Sequence, residues 1–227
     1  MREIVLDIET TGLEYKDGHK IIEIACVELS NFVTTGKIFQ TYVNPEKEIS
    51  SSAEEQHGIS DSFLKDKKNF KEVVPDFLKF IKDSPIIAHN GALFDIPFIN
   101  YELKFNKLNI IKNKVIDTLS IARKKFPGSP ANLDALCRRF DIDLSVRKKH
   151  GALIDARLLA KVYLELRGGQ QPNLVLDSKK EKKETEKIEN FEKKILEDRK
   201  FSLSIEEEKK NEEFIKKIKN PVWNQYK

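Results

Sequence analysis

Apolar residues alternate between two spacings over the first 170 or so positions of this chain and then become sparse. Glu3–Ile8, Ile21–Leu29 and Lys37–Val43 are rich in Ile, Val and Phe and predict three successive strands. Their short connections favour antiparallel neighbours. From Glu72 to Lys82 the spacing changes to helical through Val73, Phe77, Phe80 and Ile81. Pro85–His89 then predicts a short buried strand, with a helix from about Ala92 to Phe105 after it. Lys114–Asp117 gives a fifth strand, and helices near Asn132–Phe140 and Ala152–Arg167 follow, the last stopped by Gly168 and Gly169. Three hairpin-linked strands followed by alternating helix and strand imply an α/β domain with a mixed five-stranded sheet flanked by helices.

Beyond Gly169 the composition becomes that of a polar tail. Ser178–Lys219 is mostly Lys and Glu with both signs interspersed, which suits a solvated segment better than a nucleic-acid arm. Two helical stripes persist in it, Ile188, Phe191, Ile195 and Phe214, Ile215, Ile218, and Trp223 is the chain's one tryptophan. The boundaries this implies are a domain over 1–169, a linker over 170–177 and a charged tail over 178–227.

At 227 residues the chain can hold one sizeable domain and an appendage. Its 41 basic and 37 acidic residues leave a formal charge of only +4, so nucleic acid would be gripped locally in a cleft. Cys26 and Cys137 lie in apolar surroundings without a spacing motif, which favours a reducing compartment. The chain opens directly on a strand with no signal-like segment, and nothing approaches a transmembrane length. A cytoplasmic protein with no membrane attachment is expected.

Against this background, four carboxylates and a histidine are anomalous. Asp7 and Glu9 lie two apart in IVLDIETTGL, so both side chains leave one face of a strand. Like charges that close repel unless a cation lies between them. Asp95, in IIAHNGALFDIPF, falls in the first turn of a helix, where the macrodipole alone would favour an acid. Asp155 leads the apolar stripe Leu159, Val162, Leu166, and a carboxylate there needs a partner. His150 precedes it on the loop entering that helix, a place suited to a proton-transfer group. Clustered carboxylates point to divalent cations, because carboxylate oxygens are the donors Mg²⁺ and Mn²⁺ prefer.

The stretches D-I-E-T-T-G, H-N-x-x-x-x-D and H-G-A-L-I-D-A, in this order and separation, resemble the three exonuclease motifs of the DEDDh group in the RNase H-like superfamily. Within that group the chain resembles the proofreading subunits of bacterial replicative DNA polymerases. EEQHGIS with His57, the GG-Q turn after the last helix and the polar tail ending near a tryptophan support this. The resemblance implies an RNase H-like fold and two-metal hydrolysis that releases 5′-monophosphates from DNA 3′ ends. By the same resemblance Asp7, Glu9, Asp95 and Asp155 would hold two Mg²⁺ ions, with Mn²⁺ able to substitute, and His150 would accept the proton of the attacking water. Thr10, Thr11 and Leu13, beside Asp7, Glu9 and Asp155, would line the terminal nucleotide, with His57 near its base or sugar. A mismatched end frays at lower cost, so selectivity for it needs no reading of sequence.

Gln171-Pro-Asn-Leu-Val-Leu176 resembles the Q-x-x-L-x-L/F peptides that dock bacterial sliding clamps, with Gln171, Leu174 and Leu176 as the contact residues. The resemblance gives the rest of the tail to the alpha subunit of the polymerase, with Trp223 as the anchor. Two other readings stay open at this point. A stand-alone DEDDh nuclease trimming RNA or short oligonucleotides would share residues 1–170 but have little use for the tail. A non-catalytic binding module would need a damaged ligand set, and all five residues are present.

Overall fold

The structure is a computed structural model that describes residues 1–147, 149–168 and 204–218. Its elements run β1 (Arg2–Thr10), β2 (Ile21–Ser30), β3 (Val33–Tyr42), α1 (Ser51–His57), α2 (Asp61–Leu64), α3 (Phe70–Ile81), β4 (Ile86–Ala88), α4 (Asp95–Phe105), β5 (Val115–Asp117), α5 (Thr118–Lys125), α6 (Leu133–Arg139) and α7 (Ala152–Leu166). The strands form one sheet in the order β3-β2-β1-β4-β5. β1–β2 and β2–β3 are antiparallel, whereas β1–β4 and β4–β5 are parallel. The mixed sheet expected from the pattern is therefore present, with β1 at its centre.

Alternation along β1 assigns its two faces. Ile4, Leu6 and Ile8 enter a core with Phe70, Phe77, Phe98 and Leu103 of α3 and α4. Val5 enters the opposite core with Ala122, Leu136, Leu159 and Val162 of α5, α6 and α7. Because strand side chains alternate with period two, Asp7 and Glu9 leave on the Val5 side, beneath α7. A third small core of Ile22, Ile49, Ile59 and Leu64 packs α1 and α2 against the start of β2.

Several boundaries differ from the sequence expectations for identifiable reasons. β3 starts at Val33, not Lys37, because ladder pairing of Leu29 with Thr34 and Ser30 with Val33 defines it. Those first residues lie exposed at the sheet edge, where no apolar pattern is needed. α4 begins at Asp95, not near Ala92, since the amides of Leu93 and Phe94 turn back onto the Asn90 carbonyl. α1, α2 and α5 are helices the apolar pattern did not announce; all are short, and they start on the side chains of Ser50, Ser60 and Asp117. α3 is fixed by a reciprocal capping box between Asn69 and Glu72. α7 stops where expected, with Gly168 at φ +119°, a conformation glycine adopts without strain.

A separate helix, α8 (Ile205–Lys217), carries its own capping box between Ser204 and Glu207. Phe214 is exposed on it, Ile215 is half-buried, and Ile218 already lies beyond its last turn. The linker 170–177, the Ile188–Ile195 stripe, Gln171, Leu174, Leu176 and Trp223 lie outside the described residues. Among the described residues no helix is long and apolar enough to cross a membrane.

One buried polar contact joins the central strand to α7: the Tyr163 hydroxyl donates to Glu3 Oε1 at 3.0 Å. Tyr163→Phe removes the donor while keeping the ring's packing, and leaves a buried carboxylate short of a partner. The substitution should cost about 1–3 kcal/mol, read as a lower urea midpoint with an unchanged slope.

Candidate active site

β1 brings Asp7 and Glu9 to the end of the sheet and then turns sharply. The Thr10 hydroxyl donates to the Gly12 carbonyl at 2.7 Å, and the Thr11 hydroxyl meets His19 Nδ1 at 3.0 Å. Gly12 lies flat on the His19 ring, and a Cβ there would come within 2.3 Å of it. This close approach keeps the turn low, so Leu13 is left 75% exposed at the rim. Thr11 is fully buried behind the turn, whereas Thr10, Gly12 and Leu13 face the cavity.

β4 and α4 deliver the third carboxylate. Gly91 allows the turn between them to fold onto Ala88; a Cβ at Gly91 would fall 2.2 Å from the Ala88 Cβ. Asp117, at the end of β5, steadies the same turn by accepting from the Asn90 amide at 3.1 Å. His89 Nδ1 lies 2.9 Å from the Thr118 hydroxyl. Asp95 is thereby held as the first residue of α4, 3% exposed.

α7 and its approach loop supply the rest. Asp155 sits in the first turn of α7 and is 4% exposed, with His150 half-exposed before it. The His150 amide donates to the Gln56 carbonyl, so α1 holds this loop against the site. Gly151, the residue before α7, has no side chain to cap the helix. Glu23 of β2 does this from across the sheet, accepting from the Ala152 amide at 3.1 Å while Gln40 donates to its other oxygen at 2.7 Å. Arg147 forks onto Asp155, Nε to Oδ1 at 2.6 Å and Nη2 to Oδ2 at 2.8 Å, and reaches Asp134 through Nη1 at 2.5 Å.

These segments enclose a half-open cavity of about 680 Å³. Asp7, Glu9, Thr10, Leu13, His57, His89, Asp95, His150 and Asp155 are all on its wall, as are Ala53 and Gln56 of α1 and Ser50 just before it. His57 is 7% exposed, and its Nδ1 accepts from the Ile59 amide at 3.0 Å. Burial lowers the His57 pKa, while the nearby Thr10 backbone acceptor pulls it the other way. Glu23, Arg147, Asp134 and the α1 wall are what the sequence reading missed. The signals available were Glu23, a lone charge inside the apolar run IIEIACV, and Ser50, a helix-capping residue before α1.

The electrostatics are those of a carboxylate cluster short of positive charge. Burial, then Asp95, Glu9 and Asp155, push the Asp7 carboxyl well above the usual carboxylate range. Glu9 is pushed up to about 8 by burial and by Asp155 and Glu23, with Arg147 pulling the other way. Burial pushes Asp95 up to about 7, against the backbone amides of Asp95 and Ile8 that favour its charged form. One donor atom each of Glu9, His150 and Asp155 lies within 4.8 Å of the others. Crowded oxygen donors that hold protons for want of a counter-ion are a fitting seat for a hard divalent cation.

Comparison with known proteins agrees with this geometry. The sequence model of the exonuclease family matches residues 4–163. The DNA polymerase III subunit epsilon of Rickettsia typhi is 48% identical over 228 residues, covering 96% of this chain and 97% of that protein. The chain belongs to the DNA polymerase III epsilon-subunit family of exonucleases. The Escherichia coli epsilon subunit is likewise 48% identical over 177 residues, covering 74% of this chain and 72% of its own. Among solved structures, the nuclease domain of 3′hExo, a DEDDh family member bound to rAMP, has a TM-score of 0.63 at 19% identity. It covers 73% of this chain and 90% of its own. Exonuclease X in complex with 5′ overhanging duplex DNA gives 0.59 at 24%, with the same coverage. At such identities these two speak for the RNase H-like exonuclease fold alone. As an epsilon-family member the chain is a 3′-to-5′ exonuclease, and membership of this exonuclease family implies dependence on a divalent metal.

The raised carboxyls have a consequence for stability without metal. The folded chain keeps protons on Glu9 and Asp95 that the unfolded chain releases near pH 4. The unfolded state therefore binds fewer protons between about pH 4 and 8, and stability falls as pH rises through that window. In EDTA the melting temperature should drop from pH 5 to pH 8, and a divalent cation should restore it at pH 8. Glu9→Gln should flatten the difference between the two pH values; an unchanged slope would mean that Glu9 is not protonated in the fold.

Proposed function

We propose that this chain removes mismatched 3′-terminal nucleotides from DNA as the proofreading subunit of a bacterial replicative polymerase. The observation that carries the reading is the convergence of Asp7, Glu9, Asp95, Asp155 and His150, from three separated segments, on one cavity. In this reading the four carboxylates hold two Mg²⁺ ions, with Mn²⁺ able to substitute. Bound there, the ions supply activation of water and neutralisation of charge on the scissile phosphate.

The chain's own groups do the rest. His150, at the cavity edge, takes a proton from water and passes it to solvent, to which it is partly open. Leu13 offers an exposed apolar face on which the terminal base can rest. Thr10 lines the floor, and Thr11, buried behind it, fixes the turn that presents both. With Nδ1 accepting, a neutral His57 carries its proton on Nε2, facing the Thr10 backbone, and so braces the wall beside the base or sugar of the bound nucleotide. The cavity can receive a frayed terminal nucleotide, and mismatched ends fray at lower cost.

Residues 171–176 dock the sliding clamp through Gln171, Leu174 and Leu176, and the tail over 178–227 binds the alpha subunit through Trp223. The work is done in the cytoplasm. Sequence likeness over nearly the full length of a Rickettsia epsilon subunit supports this assignment of the tail over a stand-alone RNA trimmer.

The first test is the purified chain with Mg²⁺ on matched and mismatched primer–template DNA, beside single-stranded RNA. Release of 5′-monophosphates from the 3′ end should be fastest on mismatched DNA. A preference for RNA would move the biology to RNA trimming. Asp7→Ala should abolish turnover and leave the fold intact, whereas His150→Ala should lower turnover by about 10²–10⁴ and spare metal binding.

Deleting residues 177–227 should leave single-strand hydrolysis near normal and weaken association with the alpha subunit. Undiminished co-purification of the truncated chain would overturn the assignment of the tail.

A further inference from the structure

Arg147 spends its guanidinium on the acidic site. Both oxygens of Asp155 accept from it, Oδ1 from Nε at 2.6 Å and Oδ2 from Nη2 at 2.8 Å. Nη2 also lies 2.8 Å from His150 Nδ1. A guanidinium donates and cannot accept, so Nδ1 is the acceptor and holds no proton. Nδ1 and Asp155 Oδ2 are 3.3 Å apart, two lone-pair atoms held together by the one amino group that serves both. The remaining arm, Nη1, is tied to Asp134 on α6 at 2.5 Å. The guanidinium is 9% exposed, so solvent competes weakly with these bonds.

One side chain therefore engages a proposed metal ligand at both oxygens and a proposed base at a bare ring nitrogen. We propose that Arg147 is a positioning residue that stands in for the metal in the resting enzyme, holding Asp155 and His150 until a divalent cation displaces it towards Asp134. The inference rests on the reading of Asp155 as a metal ligand. It follows from charge as well as geometry: a cation bound at Asp155 and a guanidinium forked onto the same carboxylate repel each other at close range, and the monovalent one has a second carboxylate to retreat to. Asp134, 40% exposed, is a partner that a displaced guanidinium keeps without further burial.

The test is titration of the purified full chain with MnCl₂, followed by calorimetry and by the Mn²⁺ spin signal, for wild type, Arg147→Met, Arg147→Lys and Lys149→Met. Lys149 is an exposed neighbour on the same loop and controls for the loss of a charge at longer range. Arg147→Met should bind Mn²⁺ about tenfold tighter, because no cation has to be displaced. Lys149→Met should stay within about twofold of wild type. In EDTA, Arg147→Met should melt below wild type, since Asp155 is left buried and unpaired, and saturating Mn²⁺ should close the gap. Arg147→Lys, which keeps the charge without the fork, should fall between the two and carries the test if the methionine variant does not fold. A side chain that only braces the loop would lower the melting temperature and weaken Mn²⁺ binding, and that result would overturn the proposal. Equal affinities in wild type and Arg147→Met would overturn it as well. If Asp155→Asn binds Mn²⁺ as wild type does, the metal reading of Asp155 fails first and the proposal falls with it.

Discussion

Repulsion among carboxylates is the constraint around which this domain is arranged. Glu9, Asp95 and Asp155 each raise the energy of ionising Asp7, and Asp155 and Asp95 do the same to Glu9. Two like unit charges 4 Å apart near a protein surface cost about 4 kcal/mol, so several pairs would rival the stability of a whole domain. Each carboxylate is answered differently. Asp95 has the backbone amides of its own residue and of Ile8, and Asp155 has Arg147. Glu23, drawn into the same field, has Gln40 and the Ala152 amide. Asp7 and Glu9 have no such donor among the described residues, and both face the open cavity. The uncompensated charge is thus concentrated where a cation can arrive from solvent.

The sheet order explains how three distant segments meet there. β1 is central, and β4 runs parallel to it, so the C-terminal ends of both strands open on one edge. α4 starts from the end of β4, and α7 lies over the β1 face that carries Asp7 and Glu9. Asp95 and Asp155 are both in first turns of helices, where unpaired amides and the helix dipole favour an acid. The carboxylates on the helices gain from their position; those on the strand do not. That asymmetry agrees with Asp7 and Glu9 being the two left without donors.

What could be read in the sequence was whatever depended on local period. Asp7 and Glu9 stood out because a two-residue repeat put both on one face of an apolar strand, and Asp155 because it headed an apolar helical stripe. The five strands and the long helices followed from the same periodicities. Glu23, Arg147 and Asp134 could not be found that way. Glu23 acts on an amide 129 positions away, and Arg147 in a polar loop has the signature of any solvated charge. α1 was missed because seven residues with a mostly exposed surface carry no stripe, although Ser50 marked its start. Yet α1 forms one wall of the cavity and holds His150.

The loop that bears His150 shows why these omissions matter chemically. Apart from Arg147, little in its own sequence fixes its path: Gly151 offers no side-chain cap, and among the described residues a Cβ there would meet nothing within 4 Å. Its course is set by other elements. Gln56 of α1 accepts from the His150 amide, Glu23 of β2 from the Ala152 amide, and Asp134 of α6 holds Arg147. The imidazole proposed as the base is thus placed by three tertiary anchors and not by the loop alone. The carboxylates of β1, by contrast, take their positions from the central strand itself.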